Sequence, residues 1–331
     1  MKMRLLIIPL MLLCYSAWGQ VAASTAGSTH MRISRVPAQR QFIPPGHYSG
    51  ISYIEGDRFA VVHDKCAGAG LHFFDIQIDQ DGYPFVTYTE ECAGNASQPG
   101  NQDSEGVVYV PESNTLFVSA ETFQTILEYT LDGIPTGRSL EIPEDLKNTQ
   151  PNAGFEALGY GNGLFWTVTE KNLPADEDGL LRLQSFDAHT LQAGPRYLYR
   201  CEKPVIPEEA SRNATAYVFG VPAITVLPGG QLLVLEREVY VPSGKLSEKA
   251  RHSSTFHALY LVDPLHDTSH ILQKKLLTRF STKAVNLANY EGMCLGPQLP
   301  DGRWTLLLIA DSQGGMDGLT GEYLKVFLLK I

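Results

Sequence analysis

A hairpin recurs five times along this 331-residue chain, and no other feature restricts the fold as strongly. Each copy is a short strand, a polar turn and a more apolar strand ending in an acid. The copies are Ser49–Asp64 (SGISYIEGDRFAVVHD), Asp103–Glu121 (DSEGVVYVPESNTLFVSAE), Phe155–Glu170 (FEALGYGNGLFWTVTE), Val221–Glu236 (VPAITVLPGGQLLVLE) and Tyr290–Asp311 (YEGMCLGPQLPDGRWTLLLIAD). Their starts are spaced by 54, 52, 66 and 69 residues. A third strand is expected after every hairpin, at 70–79, 125–133, 179–190, 256–264 and 322–330. A fourth is expected at 84–91, 138–144, 195–202 and 269–277, which leaves the fifth copy one strand short. The isolated strand Met31–Gln39 (MRISRVPAQ) supplies it if the chain closes into a ring.

Four antiparallel strands per period, with Asp-Gly and Gly-Gly turns, predict an all-β chain built as a β-propeller. The blade count is five, with room for a sixth in the long spans 171–217 and 237–289. A β-sandwich accounts for the strands but gives no reason for the repeating phase. In a propeller blade the first strand lines the central channel and the second returns beside it. The residue before strand one and the residue ending strand two therefore share one face near the axis. The repeat places Asp64, Glu105, Glu121, Glu156, Glu170, Glu236, Glu291 and Asp311 around one mouth.

So many carboxylates in one place must rise in pKa, pair with bases or bind a cation. Lys65, Lys171 and Arg237 adjoin three of them and offset part of the charge. The remainder suits a hard cation, and Ca²⁺, which takes about six to eight oxygens in irregular geometry, is the expected cofactor. Zinc would call for closely spaced His or Cys, and His47 and His63 form no such pair. The expected metal ligands are Asp64, Glu105, Glu156, Glu170, Glu236, Glu291 and Asp311. Glu105, Glu291, Arg237 and His63 are the catalytic candidates, with a rim histidine or a free glutamate moving the proton. The chain has no G-x-S-x-G elbow, Walker loop, G-x-G-x-x-G or H-E-x-x-H. Ser104, with no base fixed beside it, reads as a turn hydroxyl.

Residues 1–19 (MKMRLLIIPLMLLCYSAWG) have a basic start, an apolar run and small residues before Gly19, the pattern of a signal peptide cleaved near that glycine. Residues 20–30 are expected to be a disordered linker and 31–331 the propeller domain. Secretion or a bacterial periplasm follows as the expected location. Loss of Lys2 and Arg4 takes the formal charge from −10 to −12, so the mature chain is acidic. With no Lys/Arg cluster, it is expected to bind neither nucleic acid nor, once the signal is gone, a membrane. In an oxidising compartment Cys66 and Cys92 are the expected disulfide, while Cys201 and Cys294 read as buried thiols.

The ordered set YSGISY, DSEGVVYVPESNTLFVSAE, NAGFEALGYGNGLFWTVTE, LLVLERE and NYEGMCLGPQLPDGRWTLLLIADSQGG resembles the phytase-like family, secreted bacterial proteins described as having esterase-like activity of phytase. The resemblance runs from Tyr48 to the C-terminus and implies a propeller that hydrolyses phosphoric or carboxylic esters. By analogy with calcium-dependent propeller hydrolases, it implies that Glu105, Glu156, Glu291 and Asp311 hold metal or position water. It also implies that Arg237 meets an anionic group. The expected partner is a small anionic ester; the expected function is a calcium-dependent ester hydrolase. The alternatives are a lactonase and a non-catalytic binding or scaffold propeller with a structural ion.

Overall fold

A computed structural model of the chain describes residues 31–98, 100–150 and 153–331. The expected signal segment and linker, 1–30, lie outside the described residues. The rest forms five four-stranded blades, as the repeat predicts. Blade 5 is completed from the start of the described chain, by β1 (Arg32–Arg35), with β2 (Gln39–Arg40) as a short extension. Blade 1 is β3 (Tyr48–Glu55), β4 (Arg58–His63), β5 (Leu71–Ile78) and β6 (Pro84–Glu91). Blade 2 is β7 (Ser104–Val110), β8 (Thr115–Ala120), β9 (Thr125–Thr130) and β10 (Pro135–Ser139). Blade 3 is β11 (Phe155–Gly161), β12 (Leu164–Thr169), β13 (Leu180–Asp187) and β14 (Ala193–Arg200). Two short helices, α1 (Glu208–Arg212) and α2 (Leu246–His252), flank the long hairpin of blade 4. That blade is β15 (Ala216–Val226), β16 (Leu232–Val241), β17 (Ser254–Val262) and β18 (Lys274–Lys283). Blade 5 is β19 (Asn289–Gln298), β20 (Trp304–Asp311) and β21 (Tyr323–Lys330), with β1 on its outer edge.

The first strands touch in cyclic order, β3, β7, β11, β15, β19 and back to β3, which closes the ring. The long spans hold α1, α2 and extended strands of blade 4 rather than a sixth blade. Two outer strands differ from expectation. In blade 2 the last strand is Pro135–Ser139, earlier than 138–144, and in blade 4 it is Lys274–Lys283, later than 269–277, because β17 begins at Ser254 and draws its partner along.

Both faces of every blade are covered by neighbours, so inner strands read as unbroken apolar runs. All of Thr305–Asp311 is buried. The core is accordingly divided among the seams between blades. Phe59, Val61 and Phe74 meet Leu307 and Val326 between blades 1 and 5, and Trp166 and Val168 meet Ile224 and Val234 between blades 3 and 4. Among the described residues no helix is long and apolar enough to cross a membrane.

The Glu-Gly phrase has a structural reason. Each first strand carries an extra residue near its start, shown by register shifts at Tyr48/Gly50, Ser104/Val107, Phe155/Ala157, Gly220/Ala223 and Tyr290/Gly292. Such a β-bulge re-aims a side chain. Ser49, Glu105, Glu156, Pro222 and Glu291 sit in these shifts. The residue that follows packs against the neighbouring blade. A Cβ on Gly50 would stand 2.4 Å from the carbonyl oxygen of Glu105, and one on Gly106 would stand 2.7 Å from that of Glu156. The glutamate faces the mouth while the glycine lets two blades touch.

Candidate functional site

The second ring of mouth residues comes from the ends of the second strands: Asp64, Glu121, Glu170 and Asp311. In blade 4 the register gives this place to Arg237 instead of Glu236. Val168 pairs with Ala157 in blade 3, an interval of 11 residues, whereas Leu235 pairs with Ala223, an interval of 12. The turn Leu227–Gln231 is one residue longer, and one residue exchanges the faces of a strand. Glu236, expected in the mouth as a metal ligand, lies outside it: it accepts hydrogen bonds from Tyr199 Oη at 2.6 Å, Lys274 Nζ at 2.7 Å and the Glu202 amide at 3.0 Å.

Arg237 organises one half of the mouth. Its guanidinium is 2% exposed and donates to Glu291 Oε1 at 2.6 Å, Asn289 Oδ1 at 3.1 Å and Glu156 Oε2 at 3.5 Å, as well as to Glu170. Burial opposes its charge, but Glu291, Glu170, Glu156 and Asp311 outweigh that and keep it protonated. Burial pushes the Glu170 and Glu291 carboxyls up, and Arg237 pulls both back. Glu156 stands well above the usual range through burial and then Glu170, with Arg237 opposing. The guanidinium expected to meet an anion is here paired with three carboxylates of the protein itself. Beneath it the channel is packed, with about 10 Å³ left open, the lower limit for one water.

The other half carries no arginine. Asp64, Asp103 and Glu105 bring carboxylate oxygens within 4.8 Å of one another. Asp64 is 6% exposed and its Oδ1 is buried without a hydrogen-bond partner. Lys65 Nζ lies 2.8 Å from Asp64 Oδ2 and 2.8 Å from Asp103 Oδ1. Glu105 stands well above the usual carboxylate range, first through burial and then through Glu156, Glu291, Asp64 and Glu121. Asp311, between the halves, is also raised well above its usual range by burial and Glu291, although the Gln313 amide donates to it at 2.7 Å. Three convergent carboxylates with an orphaned buried oxygen fit a hard, oxygen-seeking cation.

Two histidines reach this half: His47, with Nδ1 buried, unpartnered, 3.8 Å from Asp64 Oδ1 and 3.9 Å from Asp311 Oδ1, and His63, whose Nδ1 is 3.9 Å from Asp64 Oδ1. His63 also meets backbone: the Lys65 amide approaches its Nδ1 at 3.2 Å and the His47 amide its Nε2 at 3.3 Å. Burial lowers the pKa of His63 while Asp64 opposes. Glu121 leaves the cluster to accept from the Gly154 amide at 2.5 Å.

Asp103 is the ligand candidate absent from the expected metal set. It stands before its strand in a left-handed conformation, φ 55°, sparsely populated by residues other than glycine. That turn brings its carboxylate to Asp64, and only a fold can show it. A cleft of about 720 Å³ opens beside Glu170 between blades 3 and 4, lined by Lys171, Arg200, Lys203 and Tyr217 among others. The Cys66–Cys92 disulfide is not formed in this structure. Cys66 Sγ lies 3.5 Å from His72 Nε2 at the rim, while Cys92 packs in the seam between blades 1 and 2; Cys201 and Cys294 are free and buried.

A family model described as Phytase-like, esterase-like activity of phytase, matches residues 43–313. No curated protein matches the chain. Among solved structures, glutaminyl cyclase from Myxococcus xanthus is 10% identical, with 91% of this chain and 96% of that one covered and a TM-score of 0.43. The catalytic domain of the GH62 α-L-arabinofuranosidase from Coprinopsis cinerea is 11% identical, with 91% and 97% covered and a TM-score of 0.47. Likenesses at this level bear on no residue of the mouth.

Proposed function

The chain belongs to the phytase-like family, and from that premise we propose that it is an ester hydrolase whose reaction takes place at the acidic mouth. The observation that carries the reading is the meeting of Asp64, Asp103 and Glu105 carboxylate oxygens within 4.8 Å of one another, with Asp64 Oδ1 buried and unpartnered. These three would hold a calcium ion, with Asp311 beside them. When bound, such an ion supplies the positive charge that polarises an ester oxygen. His47 Nδ1, unpartnered between Asp64 and Asp311, accepts or returns a proton at the mouth.

The adjoining cleft carries Lys171, Arg200 and Lys203 but also Glu170, Asp178, Glu202 and Glu208, so the positive charge for an anionic substrate would have to come from the ion. The signal-like segment 1–19 supports a site outside the cytoplasm, where weak calcium sites of about 10⁻⁴–10⁻³ M suffice. A second reading, a non-catalytic propeller with a structural ion, draws on the packed channel and on an arginine committed to its own carboxylates.

The test is a calcium titration of the chelator-stripped protein, following melting temperature together with hydrolysis of phosphate, acyl and lactone substrates. Stability and turnover rising over one calcium range is the expected result, and the substrate that turns over names the ester class. Full turnover in folded, chelated protein would reject the reading. Rising stability with every substrate untouched selects the structural ion.

A further inference from the structure

An ammonium already stands among the three carboxylates assigned to calcium. Lys65 Nζ reaches Asp64 Oδ2 and Asp103 Oδ1, each at 2.8 Å, and the lysine side chain is 50% exposed. Asp64 Oδ1 stays unpartnered, and the two ion pairs of Lys65 are to Asp64 and Asp103, neither of them to Glu105. One charge thus serves two of three acids and leaves the third unserved. The lysine of the other half is placed differently: Lys171 Nζ has a single contact, 3.8 Å from Glu170 Oε2, and Glu170 is already held by Arg237.

We propose that Lys65 is a tethered occupant of the cation site, filling it until a divalent ion displaces it; the inference rests on the calcium reading above. A calcium ion draws its oxygens to about 2.3–2.6 Å, and an ammonium left on the same two carboxylates would stand within a few ångströms of a double positive charge, which repels it. Binding therefore exchanges one cation for the other. What favours the exchange is the oxygen inventory: the ion engages Glu105 and Asp64 Oδ1, which Lys65 leaves alone. What opposes it is the loss of two charge-assisted hydrogen bonds. The lysine keeps the metal-free site from holding three uncompensated acids, and it raises the calcium concentration at which the site fills. Its exposed stem gives it solvent to move into.

The test is calorimetric titration of calcium into chelator-stripped full-length wild type, Lys65→Met and Lys171→Met. Removing the competitor tightens binding about tenfold, while removing Lys171 changes it by no more than about twofold. Equal or weaker binding in Lys65→Met overturns the role of Lys65 and leaves the calcium site standing. Absence of binding in both wild type and Lys65→Met removes the calcium reading and this inference with it. A measurement that needs no variant guards against misfolding: acetylation of wild-type lysines, read by mass spectrometry with and without calcium. Displacement raises the modification rate of Lys65 several-fold with Lys171 unchanged, and a Lys65 rate indifferent to calcium overturns the exchange.

Discussion

On the side of the mouth formed by blades 3 to 5, three carboxylates, Glu156, Glu170 and Glu291, close on one guanidinium that is 2% exposed. On the side formed by blades 1 and 2, three others, Asp64, Asp103 and Glu105, meet an ammonium that is half exposed and reaches only two of them. Arginine presents a rigid planar fork on a weakly hydrated charge, so it can be buried among several acids. Lysine is a compact, strongly hydrated charge on a flexible stem and keeps access to water. The first arrangement cannot exchange its cation without unfolding the blade that carries it. The second can, and that separates a structural neutralisation from a site where a ligand enters.

The hardest way to break the contrast is to remove the fixed cation. Arg237→Met leaves Glu156, Glu170 and Glu291 buried without their partner, and the expected loss is about 3–5 kcal/mol at pH 8. Urea unfolding at two pH values checks it. The deficit shrinks as pH falls, because protonated carboxyls no longer repel. A loss below about 1 kcal/mol, the value of an exposed pair, would mean that these acids are neutral without Arg237. Next in size is the seam between the halves. Gly106→Ala sets a methyl 2.7 Å from the Glu156 carbonyl and 2.8 Å from Leu158 Cβ, and overpacking of this kind costs about 1–3 kcal/mol. A thermal melt that matches wild type would show that the two blades part without strain.

The legible part of this mouth was its local chemistry. A polar turn, an apolar second strand and a Glu-Gly at the bulge are all written within about 20 residues, so the repeat reported the blades, and the isolated strand near Met31 reported the closure. The bulge acids Glu105, Glu156 and Glu291 and the strand-end acids Asp64, Glu170 and Asp311 all reach the mouth for that reason. Illegible were properties that depend on register and backbone hand. Phe155–Glu170 and Val221–Glu236 have equal length and both end in glutamate, but a turn one residue longer sends Glu236 outward and Arg237 inward. Asp103 joined the cluster through a left-handed φ that no spacing announces. The pairing of Lys65 was foreshadowed only as a basic residue next to an acid.

The third prediction acts on the open half with the opposite sign. Glu105→Gln removes a carboxyl raised by burial and four neighbouring acids. The chelated variant should therefore be more stable than wild type at pH 8. In saturating calcium the order reverses, because a ligand is lost. Denaturant curves of both proteins with chelator and with calcium check the reversal, and a variant less stable in both conditions would show that Glu105 is ionised and well paired without metal.

The smallest effect is the slope of stability with pH. Glu105, Glu156 and Asp311 all have folded-state pKa values raised above those of the unfolded chain, by burial first. Between the ordinary value, 4.5 for the glutamates, and the raised ones, the folded state binds more protons than the unfolded state. Stability is then greatest at the acid end of that window and is lost as pH rises through the raised values. In chelator, stability should fall from pH 5 to pH 8. Calcium flattens the slope by stabilising the ionised acids of the open half, whereas the Arg237 half contributes the same with or without the ion. Melting temperatures across that range with chelator and with calcium separate the halves. Stability that rises from pH 5 to pH 8 in chelator would show that these carboxylates are already ionised and paired in the folded chain, and the contrast between a fixed and an exchangeable cation would lose its electrostatic basis.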